Sequence, residues 1–237
     1  MGRNRLKRNF VFLLLVLGPW SLVHGPAFAQ TKVGKVDNVL GDVIIIHEAG
    51  KKEKAAVGAP LFLKDVVEAK KESSVQLGFQ DGTTLVLREK TKIIVSEFLF
   101  NPGKKQRETI LDVAGGKLKA VVSKTFNKKT SKTEFRTPTA VIGVRGTELA
   151  LDVGKKKTTV FCLKGLVSTL NPLMPLKEMM VGANQYSDVE AGAPPSSPLP
   201  IPKQVLEGIE GQFGFPTSAE AVKQRGIDTL KSRLPFP

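Results

Sequence analysis

The sequence predicts an all-β protein of short strands, in a solenoid-like or twisted sandwich arrangement, with a short helical tail at its C-terminus. From Thr31 to Gly192, Val, Ile, Leu and Thr recur in short runs separated by glycine-containing turns, which is strand and not helix punctuation. Within Ser74–Leu87 the apolar Val75, Leu77 and Phe79 alternate with Gln76, Gly78 and Gln80, the period of a half-buried strand. After Gly192 the character changes, and apolar residues recur at helical spacing.

At the N-terminus Arg3, Arg5, Lys7 and Arg8 precede the apolar run Phe10–Leu17, and Ala27-Phe28-Ala29 places small residues where a signal peptidase reads. Gly18-Pro19 interrupt the run well short of the ~20 residues that span a bilayer, so residues 1–29 are expected to be a cleaved signal peptide. No cysteine follows the cut to accept a lipid, so the mature chain is expected to be periplasmic or secreted.

Cleavage would remove Trp20, His24 and four of the cationic side chains, taking the net charge from +14 to +10. One histidine, His47, and one cysteine, Cys162, remain. A lone cysteine forms no internal disulfide, and without Cys/His clusters no metal framework and no cofactor is predicted. Cys162, inside Thr159-Val160-Phe161-Cys162-Leu163, is expected to be a buried, inert thiol.

Asp81-Gly82 announces a reversal. A two-residue loop would turn Leu85 and Leu87 to the face opposite Leu77. A three-residue loop, Gln80-Asp81-Gly82 with Gly82 left-handed, pairs Leu77 with Leu85 and Val75 with Leu87 and keeps both apolar sets on one face. Gly-x-Val or Gly-x-Leu also recurs at Gly34, Gly41, Gly116 and Gly165, but irregularly, so a glycine-cornered stack and a twisted sandwich both remain open.

The most specific segment is Thr137-Pro138-Thr139-Ala140-Val141-Ile142-Gly143-Val144-Arg145-Gly146-Thr147. Thr137-Pro138 suits a strand start or a sheet edge, where the missing proline N–H does no harm. Arg145, between glycines, reads as a pin satisfying carbonyls or a carboxylate inside the sheet. The other reading makes it an anion contact for a ligand. The order of Thr137, Pro138, Ala140, Val144, Arg145, Gly146 and Thr147 closely resembles the signature of the FecR domain, a module found outside the inner membrane in bacterial signalling regulators of the iron-citrate type. The resemblance extends over about Val33 to Val189, through Gly34–Val43, then Gly58, Leu61, Asp65 and Val66, the Asp-Gly hairpin, and Leu163–Val167. Lys64 stands where the family usually has glycine.

The resemblance implies binding or sensing and not catalysis. Family regulators place a sigma-factor-holding domain and a membrane span before this module. Here only a short basic segment precedes the apolar run, so no sigma-factor contact is expected and the chain is read as a standalone exported module.

Lysines crowd the expected turns: Lys51, Lys52 and Lys54; Lys104, Lys105 and Arg107; Lys124, Lys128, Lys129 and Lys132; and Lys155, Lys156 and Lys157 in a hairpin turn. Solvated tips are the plain reading. Gathered on one side, the tips would offer an anion-contact surface, with Lys155, Lys156, Lys157 and Arg145 as candidates, to an envelope protein, an anionic envelope polymer or, peripherally, a membrane. Export and the strand context of Gly143–Gly146 argue against nucleic acid. No catalytic set is predicted, because the aspartates are scattered singly beside turns and His47 reads as an exposed strand-end residue. A basic polysaccharide- or headgroup-binding protein, and less so a β-helix polysaccharide-cleaving enzyme, are the alternatives.

The domain therefore covers residues 30–192. Five prolines between Ala191 and Pro202 make residues 193–202 an extended linker. The tail, 203–237, carries one helical face of Val205, Leu206, Ile209 and Phe213, and a second pattern opened by the capping box Thr217–Glu220. It either folds back on the β domain or docks a partner.

Overall fold

The computed structural model describes residues 30–124 and 131–214. These form two β layers that share one long strand. In the first layer, β1 (Lys32–Leu40) is flanked by β4 (Pro60–Phe62) and β6 (Ser74–Phe79). The order then continues through β7 (Thr84–Leu87), the second half of β9 (Gln106–Val121), β12 (Glu148–Val153), β13 (Lys157–Lys164), β16 (Gln185–Glu190) and β17 (Leu199–Pro200). The second layer runs from β3 (Lys52–Lys54) through β2 (Val43–Ile46), β5 (Val66–Ala69) and β8 (Thr91–Asn101) to the first half of β9. It continues through β10 (Ser131–Arg136), β11 (Val141–Val144) and β14 (Leu166–Leu170) to β15 (Met179–Gly182).

Among the described residues β9–β10 is the one parallel pairing. Stacked solenoid rungs would pair in parallel, so the arrangement is the twisted sandwich, with open and not closed sheets. The side-chain period of two sends one set from each strand inward. Val36, Leu77, Leu85, Leu118, Leu149 and Val160 of the first layer thereby join Ile45, Val67, Ile93, Leu111, Phe135, Ile142 and Val167 of the second in one continuous buried core.

β9 changes layer at Gly115-Gly116. Gly116 has φ +101°, and a Cβ there would lie 2.4 Å from Thr91 Cα, so only glycine fits the corner. The β6–β7 hairpin has the three-residue loop, with Val75 opposite Leu87, Leu77 opposite Leu85, and Gly82 at φ +80°. Lys64 adopts φ +68°, a left-handed position that explains a preference for glycine there.

The proline-rich stretch is not a free spacer. Ser196 bonds Ser187 and Asp188, and Leu199-Pro200 add an edge strand to β16, a place where proline costs no ladder bond. It leads into α1 (Lys203–Gln212), which folds back on the outer face of the first layer. There Ile209 and Phe213, with Leu206 beside them, cover Ala150, Phe161, Leu163 and Tyr186. Val205 is left exposed. The expected signal peptide and the Thr217–Glu220 capping box lie outside the described residues. Among the described residues no helix is long and apolar enough to cross a membrane.

Candidate functional site

The signature residues fall into two structural tasks. Thr137-Pro138-Thr139-Ala140 is the turn between β10 and β11, not a strand start. Thr137 N–H donates to the Ala140 carbonyl (2.8 Å), Ala140 N–H donates to Thr137 Oγ1 (2.9 Å), and the Thr139 hydroxyl donates to Thr158 Oγ1 (2.8 Å). Proline suits the second position of such a turn because its φ is already set. Arg145-Gly146-Thr147 is the crossover from β11 in one layer to β12 in the other. Gly146 has φ +65° and lies directly under the Lys124 side chain. The buried Thr147 hydroxyl donates to the Leu166 carbonyl (3.0 Å).

Arg145 itself is exposed, which corrects the expectation of a buried pin. Inward positions on β11 are Ile142 and Val144, so the alternation and the following turn carry residue 145 out of the core. No hydrogen bond or ion pair holds its guanidinium among the described residues. It stands at the rim of a groove of about 830 Å³ across the outer face of β9, β10, β11, β14 and β15. Val141, Leu166, Leu170 and Met180 supply its apolar lining. Gly143 leaves a dent in which a Cβ would come within 2.6 Å of Ser168 Oγ.

Lys132 and Glu134 on this face are paired, while Glu108 and Glu178 also line the groove. Glu134 accepts from Lys132 Nζ (2.9 Å) and Arg136 Nε (2.5 Å). Burial pushes its carboxyl up, but the hydrogen bonds from Lys132 and Arg136 outweigh this and hold it below the usual carboxylate value. Near the crossover, hydrogen bonds from Lys119 and Lys164 hold Glu148 low as well. Among the described residues, Arg145 is therefore the cation lining this groove that no ion pair engages.

Lys155, Lys156 and Lys157 are exposed at the β12–β13 turn, where Val153 faces Thr158. They sit at the opposite end of β12 from Arg145, six residues or ~20 Å away. The structure thus does not gather the four candidate anion contacts into one site. Lys157 is also paired to Asp188 (3.3 Å).

Two polar pairs were misread from sequence. His47 is buried, not an exposed strand end: Nδ1 lies 2.8 Å from Asp65 Oδ1 and Nε2 lies 3.4 Å from Glu53 Oε1. Its signal was the β2 alternation, since Val43, Ile45 and His47 share the inward face. Arg107 is no solvated tip residue. It is 3% exposed, faces inward with Thr109 and Leu111, and pairs with Asp81 at 3.8 Å. Asp81 is likewise more than a turn former, because it also accepts from Thr83 N–H and the Thr83 and Thr109 hydroxyls. Cys162 is buried as expected, and desolvation raises its thiol to about 11. Among the described residues no cluster of three or more potential metal ligands occurs.

A family model described as FecR protein matches residues 65–168. No curated protein matches. Two crystal structures of a candidate anti-sigma factor from Parabacteroides distasonis ATCC 8503 are similar, each with a TM-score of 0.47 and 16% identity. The first match covers 61% of this chain and 63% of that one, and the second 60% and 62%; this chain thus spans under two thirds of their length. A structure described as a cell surface anchoring domain has a TM-score of 0.25 and 24% identity, covering 26% of this chain and 82% of the other.

The expectation of no sigma-factor contact is corrected by the family match. A FecR match over residues 65–168 runs against it, because that family is linked to sigma-factor regulation. The residues ahead of the apolar run do not decide what such a module regulates. The matched family is one of regulatory or sensing modules.

Proposed function

We propose that this chain, which carries a FecR domain over residues 65–168, is an exported, non-catalytic sensing module of a bacterial envelope, and that Arg145 marks its recognition surface. The contrast inside the signature carries this reading. Thr137, Ala140, Val144, Gly146 and Thr147 are occupied in building a turn, a core and a crossover, whereas Arg145 is exposed at a groove rim without an internal partner. A planar guanidinium left open beside an apolar groove suits a carboxylate- or phosphate-bearing ligand, which it can hold with two parallel bonds. The basic N-terminal segment, the apolar run and Ala27-Phe28-Ala29 support export with cleavage before Gln30.

The test replaces the gene in its own bacterium with Arg145→Ala and, separately, Arg145→Lys. Genome-wide transcripts and the level and melting of each protein are then compared with wild type and a deletion. Arg145→Ala should reproduce the transcript changes of the deletion at normal protein level and unchanged melting. Full complementation by Arg145→Ala would overturn the assignment. Intact mass of the protein released by osmotic shock checks export, with loss of residues 1–29 expected.

A further inference from the structure

We infer that the end of the sandwich carrying the β14–β15 loop docks on an anionic lipid bilayer, with Leu173 and Leu176 entering the acyl region and Lys155, Lys156 and Lys177 meeting headgroups. The loop Pro172-Leu173-Met174-Pro175-Leu176-Lys177 is held as two successive turns. Met174 N–H donates to the Asn171 carbonyl (2.8 Å) and Lys177 N–H to the Met174 carbonyl (3.1 Å). The base is Asn171, 1% exposed, whose side chain accepts from Leu173 N–H (2.9 Å) and donates to the carbonyls of Glu190 (2.9 Å) and Ala193 (2.8 Å). A buried asparagine thus anchors the base of the loop, yet the leucines at its tips are 77% and 98% exposed.

The lysine turn lies at the same end. Glu190, which holds Asn171, pairs in register with Lys157, and Ala191 N–H donates to the Lys156 carbonyl (2.9 Å). Lys157 is taken by Asp188. Lys155, Lys156 and Lys177 are exposed there, against the exposed carboxylates of Glu178 and Glu190. The local surplus is small, so the leucines supply the contact, while the net charge, +10 after cleavage before Gln30, draws the chain to an anionic surface.

The shape favours lipid over a protein partner. Stable protein interfaces bury about 800 Å² per partner in a complementary patch, and two isolated tips between prolines do not form one. Insertion into a bilayer needs no shape match, only apolar area and favourable headgroup charge. This inference is independent of the groove and of Arg145.

A reporter at the tip tests it without interference from the N-terminal apolar run. Leu176→Trp is made in a Trp20→Phe background, leaving the introduced indole as the only tryptophan. With phosphatidylglycerol–phosphatidylcholine vesicles its emission should shift blue and be quenched by brominated acyl chains, but not with phosphatidylcholine alone. In sedimentation with the same vesicles, the double change Leu173→Ser, Leu176→Ser should weaken binding about tenfold or more with unchanged melting. Lys155→Glu, Lys156→Glu should weaken it less, and only at low salt. An indole that stays in water, or equal sedimentation of the double serine variant, would overturn the inference. Capture of a soluble protein through these leucines without bilayer insertion would do so too.

Discussion

Arg107 and Asp81 form an ion pair inside the sandwich, 3.8 Å apart and almost fully shielded, and join β9 to the tip of the β6–β7 hairpin. Burial lowers the arginine pKa and the Asp81 carboxylate partly offsets this. Asp81→Ala should cost about 3–5 kcal/mol, because it removes the carboxylate facing a buried guanidinium and the acceptor for Thr83 and Thr109. Denaturant unfolding of the variant measures this directly.

Arg145→Ala should leave stability within about 0.5 kcal/mol of wild type, as surface changes without a structural partner do. Arg107→Ala should be severely destabilising. Paired thermal melts of the two single variants separate the exposed arginine from the buried one, and a drop for Arg145→Ala comparable to that for Arg107→Ala would restore the structural role.

Gly116→Ala should destabilise by more than about 1–3 kcal/mol, since it adds a side chain at a strained φ and drives it into the Thr91 backbone. Gly208→Ala, in α1 with open space around it, should instead stabilise by roughly 0.5–1 kcal/mol. Chemical denaturation should show opposite signs for these two identical substitutions.

Acid should loosen the crossover. The Glu148 carboxyl is held below its ordinary value of 4.5 by hydrogen bonds from Lys119 and Lys164. Folding therefore favours its ionised form, and the stabilisation is complete above pH 4.5 and fades as pH falls through the lower folded-state value. Glu148→Gln should flatten the melting-temperature profile below pH 4.5, by roughly 1 kcal/mol or less, and leave its slope near neutrality unchanged.

The parts of the fold legible in sequence were those governed by local rules. Alternation across Val75–Phe79 and the Asp-Gly dipeptide predicted the hairpin and its register, because a single-residue slip would have exposed every leucine on it. The layering was not legible, since whether Gly115-Gly116 ends a strand or bends one depends on Thr91, far away in the chain. The site was read in reverse for a similar reason. Arg145 between glycines looks confined, but the turn expels it, whereas Arg107 follows two lysines and looks solvated, yet shares the inward period of Thr109 and Leu111. Counting that period outward from Leu111 would have found it.

The strand shared by both layers also sets an order of events for a chain that emerges N-terminus first. β7 and β8 finish their hydrogen bonding only against opposite halves of β9, so the pairings made before residue 105 keep two open edges until residue 121 has been delivered. The β5 and β6 strands within the matched region likewise lean on β2 and β1, which precede it. A fragment cut to residues 65–168 would keep the signature yet leave those strands with raw edges, and should clump where the longer chain folds.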